Sequence, residues 1–286
     1  MLAMKPTIAV TWNDPSTDSQ VRCYGGDETI YALQGFSYSA LAAYPLEALT
    51  GLKTWSVLVN RLFAQSEMSR LEKLLQDLSA TDVTHVYFAD PAVYQLTPKA
   101  LRSRLIYRSM TLVTSLADAQ WWADQGIAFV SLSPIVTLEE IAKMIRGCPK
   151  AEVTVHGHLL QSVSKRKLLS AYGRYAGVSH AFTTADDLAI METNRHERFP
   201  IYEQEEGTLI YTDFVQESFA DIVSFVEMGA GRFFVESAFV QPDEILEVLS
   251  IYDSLLRGIA GDAEGFRKRH ADTHYSRGYY GQKTIF

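Results

Sequence analysis

TIAVTWNDPSTDS, residues 7–19, decides between two architectures. TIAVTW (7–12) is a short apolar run of β-forming residues and reads as a buried strand. NDPSTDS follows it at once, built from the residues that make turns. An open doubly wound sheet usually carries a Gly-rich phosphate turn directly after its first strand. No such turn is present here, so a TIM-like (β/α) barrel is the favoured reading and the open sheet its rival.

The rest of the chain keeps the alternation that either fold requires. ETIYALQGF (28–36), SVLVN (56–60), HVYFADP (85–91), RLIYRSM (104–110), IAFVSLS (127–133), AEVTVHG (151–157), GTLIYT (207–212) and RFFVES (232–237) read as strands. Helices are expected over 66–78, 115–126, 137–147, 216–231 and 243–258. Ser66 is the expected cap of the first, Gly126 closes the second, and Thr137 with Glu140 has capping-box spacing for the third. Strands alternating with helices of this length build right-handed β-α-β units around a parallel sheet. About eight strand candidates suit a closed barrel, regular or incomplete. Residues 170–206 break the rhythm with polar, aromatic and charged residues and are expected to form an excursion of loops or β-structure. With no internal repeat or linker, residues 1–286 read as one domain.

Bulk properties exclude several classes. A hydrophobic content of 47% is ordinary for a globular chain, and the net charge of −8 argues against general affinity for nucleic acid or anionic membrane. Two cysteines, Cys23 and Cys148, form neither a disulfide framework nor a metal-binding cluster. No stretch approaches the roughly 20 apolar residues of a membrane helix, and no leader is visible at the N-terminus, so a cytoplasmic location is expected.

The chemistry-bearing stretch is VTVHGHLLQSVSKRKLLSAYG (153–173). His156 and His158 are two apart and would share a face of a regular strand, which makes them a weak metal pair. His180, Glu236 and Asp90 are the further donors such a site would need. Ser164, Lys165, Arg166 and Lys167 put three cations beside a hydroxyl, a grip for phosphate or carboxylate or else a solvated basic turn. No Ser-His-Asp signature, HExxH or Cys beside His is present. Tyr172, Tyr279 and Tyr280 read as packing residues before they read as stacking platforms.

As a unit, HGHLLQSVSKRKLLS (156–170) resembles the signature of the U32 peptidase family, the collagenase-like proteases, which runs roughly H-G-A-L-C-x-S-x-S-G-R-C-L-L-S. His156, Gly157, Leu159, Ser162, Ser164, Arg166, Leu168, Leu169 and Ser170 agree with it. Asn60, Asp90-Pro91, Ser109-Met110-Thr111, TLEEI (137–141) and YSRGYYGQKTIF (275–286) are similar to further family segments in the family's order. The resemblance implies a barrel and points to the short members that work beside a longer one. The family's signature cysteines are replaced by Leu160 and Lys167, so the resemblance implies no iron–sulfur cluster and no other cofactor in this chain. Pro134-Ile135 and Phe234-Val235-Glu236-Ser237-Ala238 depart from two further family motifs, and only Glu236 of the second survives.

Three functions stay open. The first is an accessory subunit acting with a longer cysteine-bearing U32 protein in hydroxylation of tRNA or other RNA, as the resemblance implies. The second is a peptidase, after the family's label. The third is a small-anion-binding or metal-assisted barrel. Because barrel strands gather their C-terminal groups at one mouth, the expected catalytic residues are His156, Glu236 and Ser164, and the expected substrate- or anion-binding residues are Asn60, Asp90, Ser109, Lys165 and Arg166. Glu236 is expected to act as a base or as a counter-charge to Arg166. Tyr172 and its neighbours are left out of that set.

Overall fold

In the computed structural model, residues 5–178, 188–191, 193–194 and 197–282 are described. Thirteen strands occur among them: β1 (Thr7–Thr11), β2 (Glu28–Leu33), β3 (Ala43–Tyr44), β4 (Trp55–Val59), β5 (Val86–Phe88), β6 (Leu105–Tyr107), β7 (Phe129–Ser131), β8 (Ala151–Ser164), β9 (Ala189–Ile190), β10 (Phe199–Gln204), β11 (Gly207–Glu217), β12 (Arg232–Val235) and β13 (Tyr275–Ser276). Eight of them run parallel in the order β1-β2-β4-β5-β6-β7-β8, and β12 pairs with both β8 and β1. That double pairing closes the ring. The chain is therefore a TIM-like α/β barrel with extra strands outside it, and the open sheet is excluded.

The strands are buried on both faces, and their period of two sorts the side chains into two cores. Ile8, Val10, Val57, Val86, Phe88 and Val153 face outward into the layer shared with the helices. Ala9, Ile30, Leu58, Tyr87, Ile106 and Phe234 fill the barrel itself. Helix Met68–Ser79 buries Leu71, Leu74, Leu75 and Leu78 against the outer layer. The capping box of Thr137 and Glu140 starts helix Leu138–Gly147, and Ser115 caps helix Leu116–Asp124. Ser66 is not a cap. It lies inside a 3-10 turn, Gln65–Glu67, where the Glu67 carboxylate accepts from the Ala64 N–H at 2.8 Å.

The N-terminal end of the barrel is plugged by charge. Arg232 reaches Glu28 and Glu152 at 2.8 Å each, and also donates to the Tyr87 hydroxyl at 2.8 Å. His85 and Ser56 complete the set on Glu28. Burial pushes the Glu28 carboxyl up, but Arg232 and His85 outweigh it and hold the group down at about 2.

At the other end, β8 leaves the barrel instead of stopping. A bulge lies between Thr154 and His156 in its pairing with β12. Gly157 follows at φ +111, with its ideal Cβ position only 2.1 Å from Glu236 O, so only glycine fits. Beyond this kink β8 pairs antiparallel with β11 as far as Ser164. The strand expected to end at Gly157 is thus 14 residues long. The same pairing explains why the helix expected over 216–231 is confined to Ile222–Met228: Gln216 and Glu217 are ladder residues opposite Gly157 and His156. The expected excursion after residue 170 comprises part of helix Leu168–Ala176, β9 and β10, with β11 leading back. Helix Pro91–Leu96, begun by Asp90-Pro91, is an addition to the sequence-based reading. Among the described residues no helix is long and apolar enough to cross a membrane.

Candidate functional site

The C-terminal ends of the barrel strands converge on a small polar mouth. Glu236 follows β12 directly. Its Oε1 accepts from the Thr11 hydroxyl at 2.7 Å and from the Ala238 N–H at 3.2 Å. Ser237 N in turn donates to Thr11 Oγ1 at 2.8 Å, tying the ends of β1 and β12 together. Burial raises the Glu236 carboxyl, and the Thr11 hydroxyl and the Arg108 charge oppose that rise only in part. Arg108 follows β6. Its Nη1 donates to Ser131 Oγ at 2.7 Å and Thr154 Oγ1 at 3.0 Å, and its guanidinium lies 3.5 Å from the Phe234 ring centroid. This buried guanidinium is held by hydroxyls and a π face, and its charge reaches the Glu236 carboxyl. The Oγ atoms of Ser133 and Ser109 are also buried without a hydrogen-bond partner.

The extensions of β8 and β11, with β10 and the loop after β2, roof this mouth. Tyr38, Leu41, Leu209, Tyr211 and Ala238 form an apolar cluster, with Leu160 and Tyr202 packed against it. Burial, with Glu236 nearby, raises the Tyr211 hydroxyl far above its usual range, so it stays protonated. Asn60 clamps the loop beneath the roof in a two-way bond: its Oδ1 accepts from Tyr38 N at 2.8 Å and its Nδ2 donates to Tyr38 O at 3.1 Å. Gln204 pins the same loop by donating to Ser37 O at 2.8 Å.

Beside the roof lies a cleft of about 670 Å³, lined among others by Trp12, Leu41, His158, Tyr202, Ser237 and Phe239. His158 Nδ1 stands 2.7 Å from Thr212 O. A carbonyl only accepts, so Nδ1 carries the proton, and neutral His158 has its lone pair on Nε2. Burial lowers the pKa of this ring, which keeps it neutral at pH 7.

The remaining expected residues are placed as follows. The His156 ring sits in the outer layer among Phe219, Tyr252, Phe266 and Tyr275, fully buried, with no hydrogen-bond partner on either nitrogen. Burial, with a smaller push from His158, lowers its pKa to about 3. The bulge and Gly157 break the period of two, so the rings of His156 and His158 face different neighbours and do not form a pair. Asp90 caps helix Pro91–Leu96 through Ala92 N at 2.9 Å and holds Phe63 N at 2.9 Å. Ser164 Oγ accepts from Arg166 N at 3.2 Å, inside an exposed turn that also carries Lys165 and Lys167. The charge near Glu236 is therefore Arg108 and not Arg166. His180 lies outside the described residues. Among the described residues no group of three or more His, Cys, Asp or Glu could hold a metal ion. Arg108, Thr11 and Tyr211 were absent from the sequence-based set. Arg108 and Thr11 were findable by position alone, since each stands at the C-terminal end of a barrel strand.

Comparison with known proteins adds three findings. The family model described as peptidase family U32 matches residues 32–283. A protein of Bacillus subtilis (strain 168) described as tRNA hydroxylation protein P2 is 23% identical over 201 residues, 68% of this chain. That match spans 65% of the relative's own length. Among solved structures, the U32 peptidase Mk0906 is similar at 15% identity and a TM-score of 0.48, over 83% of this chain and 94% of that one. The Bacillus cereus spore cortex-lytic enzyme SleL is similar at 10% identity and a TM-score of 0.42, over 85% and 73% of the respective chains.

Proposed function

Because the chain belongs to peptidase family U32, we propose that its barrel works as an accessory subunit in hydroxylation of tRNA, beside a longer, cysteine-bearing member of the same family. The observation that carries this reading is the side chain at the first signature position. Leu160 packs into the apolar roof with Tyr38, Leu41 and Tyr211, and offers no lone pair to iron. Lys167, at the second position, is an exposed cation. Cys148 lies elsewhere, in the helical layer, its thiol 3.8 Å from Ala119 O, and Cys23 is exposed on helix Asp18–Cys23. These residues do not fit an iron–sulfur cluster, which supports assigning the redox chemistry to the partner. The similarity to a tRNA hydroxylation protein supports tRNA as the substrate class.

Peptidase chemistry finds no support in the side chains. Ser164 bonds its own turn, and the His156 ring is buried among aromatics with no hydroxyl on either nitrogen. Neither arrangement activates a nucleophile. A small-anion reading keeps one observation in its favour: Arg108, buried at the mouth and bound by hydroxyls. In the accessory reading this cation receives a small polar or anionic group beneath the roof.

The test is purification of the tagged chain from its native cell under anaerobic conditions. Stoichiometric recovery of a longer U32 protein carrying iron and sulfide is expected. A chain that elutes alone at every concentration, or that itself carries stoichiometric iron and sulfide, overturns the reading.

A further inference from the structure

Residues 163–178, VSKRKLLSAYGRYAGV, carry four cations and no carboxylate in a chain whose net charge is −8. The segment spans the end of β8, a basic turn and helix Leu168–Ala176. The helix is held at its start: Leu168 N donates to Thr208 Oγ1 at 2.9 Å, and the Glu203 carboxylate accepts from Ser170 N at 3.2 Å. Gly173 is the one buried residue within it. The outer side is open. Leu168 is 39% exposed, Tyr172 60% and Tyr175 91%. These three are spaced i, i+4 and i+7, so they form one stripe about 10 Å long on a single helical face. Lys165, Arg166 and Lys167 precede the stripe, and Arg174 lies within the same helix, all four exposed.

We propose that this face docks single-stranded RNA, with the tyrosines as stacking surfaces and the four cations on the phosphates. The proposal rests on the tRNA reading and deepens it by naming where the RNA sits. Exposed tyrosines next to exposed cations are the two components that sequence-independent strand binders combine. The chain's acidic balance elsewhere repels a polyanion and leaves this segment as the favourable approach. A nine-residue helix whose exposed stripe is two tyrosines and one leucine fits bases better than it fits a bilayer or a partner's core.

The test is titration of the full chain with a fluorescein-labelled tRNA transcript and with a polyuridylate 12-mer. Binding is expected for both, with log Kd rising against log salt by about 2.8 if all four cations neutralise phosphates. The Lys165→Ala, Lys167→Ala double variant lowers that slope by about 1.4. Tyr175→Ala weakens binding about tenfold, at a side chain too exposed to support the fold. Three results overturn the proposal: no binding at 50 mM salt, binding that these variants leave unchanged, or loss of anionic-vesicle or partner-protein binding in Tyr175→Ala while RNA binding persists. Failure here is separable from failure of the accessory reading. If cells without the chain lose hydroxylated tRNA while Tyr175→Ala cells keep it, only the docking face falls. If RNA binding follows the predicted pattern while cells without the chain keep hydroxylated tRNA, the docking face stands and the hydroxylation role falls.

Discussion

Replacing Arg232 by methionine removes the cation from a plug that seals the N-terminal end of the barrel. Arg232 sits between Glu28 and Glu152, all three buried. Removing one member of a buried ionic group leaves the others uncompensated, at a cost of about 3–5 kcal/mol. The pH dependence gives a second handle. In the native protein the Glu28 carboxyl is held at about 2, against an ordinary value of 4.5. A depressed carboxyl contributes stability that is fully present above pH 4.5 and is lost as pH falls toward 2. The shift corresponds to on the order of 3 kcal/mol. Without Arg232 the remaining carboxylates favour protonation, so the penalty of the variant shrinks as the solution is acidified. Urea unfolding followed by far-UV circular dichroism at pH 7, 5 and 3.5 measures both effects. The curves of Arg232→Met and wild type should lie about 3–5 kcal/mol apart at pH 7 and draw closer at pH 3.5. A difference below about 1 kcal/mol at pH 7, or parallel pH profiles, would refute the reasoning.

Three further outcomes are expected. Gly157→Ala forces a Cβ against Glu236 O at a φ of +111, and should cost more than about 3 kcal/mol in urea unfolding or yield no soluble barrel. His156→Phe should remove an acid-sensitive group. The folded pKa is about 3 against 6.5 unfolded, so stability falls as pH drops through that window by up to about 1.4 kcal/mol per unit. The phenylalanine variant should match wild type at pH 7.5 and exceed it at pH 4, as thermal melts at the two pH values would show. Asn60→Ala removes both bonds to the Tyr38 backbone, at about 1–3 kcal/mol. It should also speed limited proteolysis of the loop around Tyr38, with unchanged cleavage rates as the contrary result.

The barrel was legible because its strands are apolar on both faces and its helices carry conventional caps, as at Thr137 and Ser115. The turn after β1 identified the architecture by lacking phosphate-binding glycines. What the sequence concealed was β8's continuation. Gly157 looks like a strand breaker, and only the approach of Glu236 O shows it to be the kink that sends β8 into the roof. The same kink separates His156 from His158, which regular alternation would have paired. Asn60 and Asp90 stand where barrel geometry puts them, but their polar atoms are engaged by backbone N–H and C=O groups. Arg108 escaped notice because nothing in RLIYRSM marks a buried cation, and its role depends on Ser131, Thr154 and Phe234 from three other strands. The apolar partners of Leu160 come from the loop after β2, from β11 and from beyond β12, so no local pattern announces them.

The most direct measurement is mass spectrometry of tRNA nucleosides from cells with the gene deleted and then restored. The account predicts that the hydroxylated nucleoside disappears on deletion and returns with the wild-type chain. It also predicts return with a chain whose Cys23 and Cys148 are both replaced by serine, because the proposed function assigns the iron-bearing thiolates to a partner. An unchanged level of the hydroxylated nucleoside in the deletion strain would contradict it.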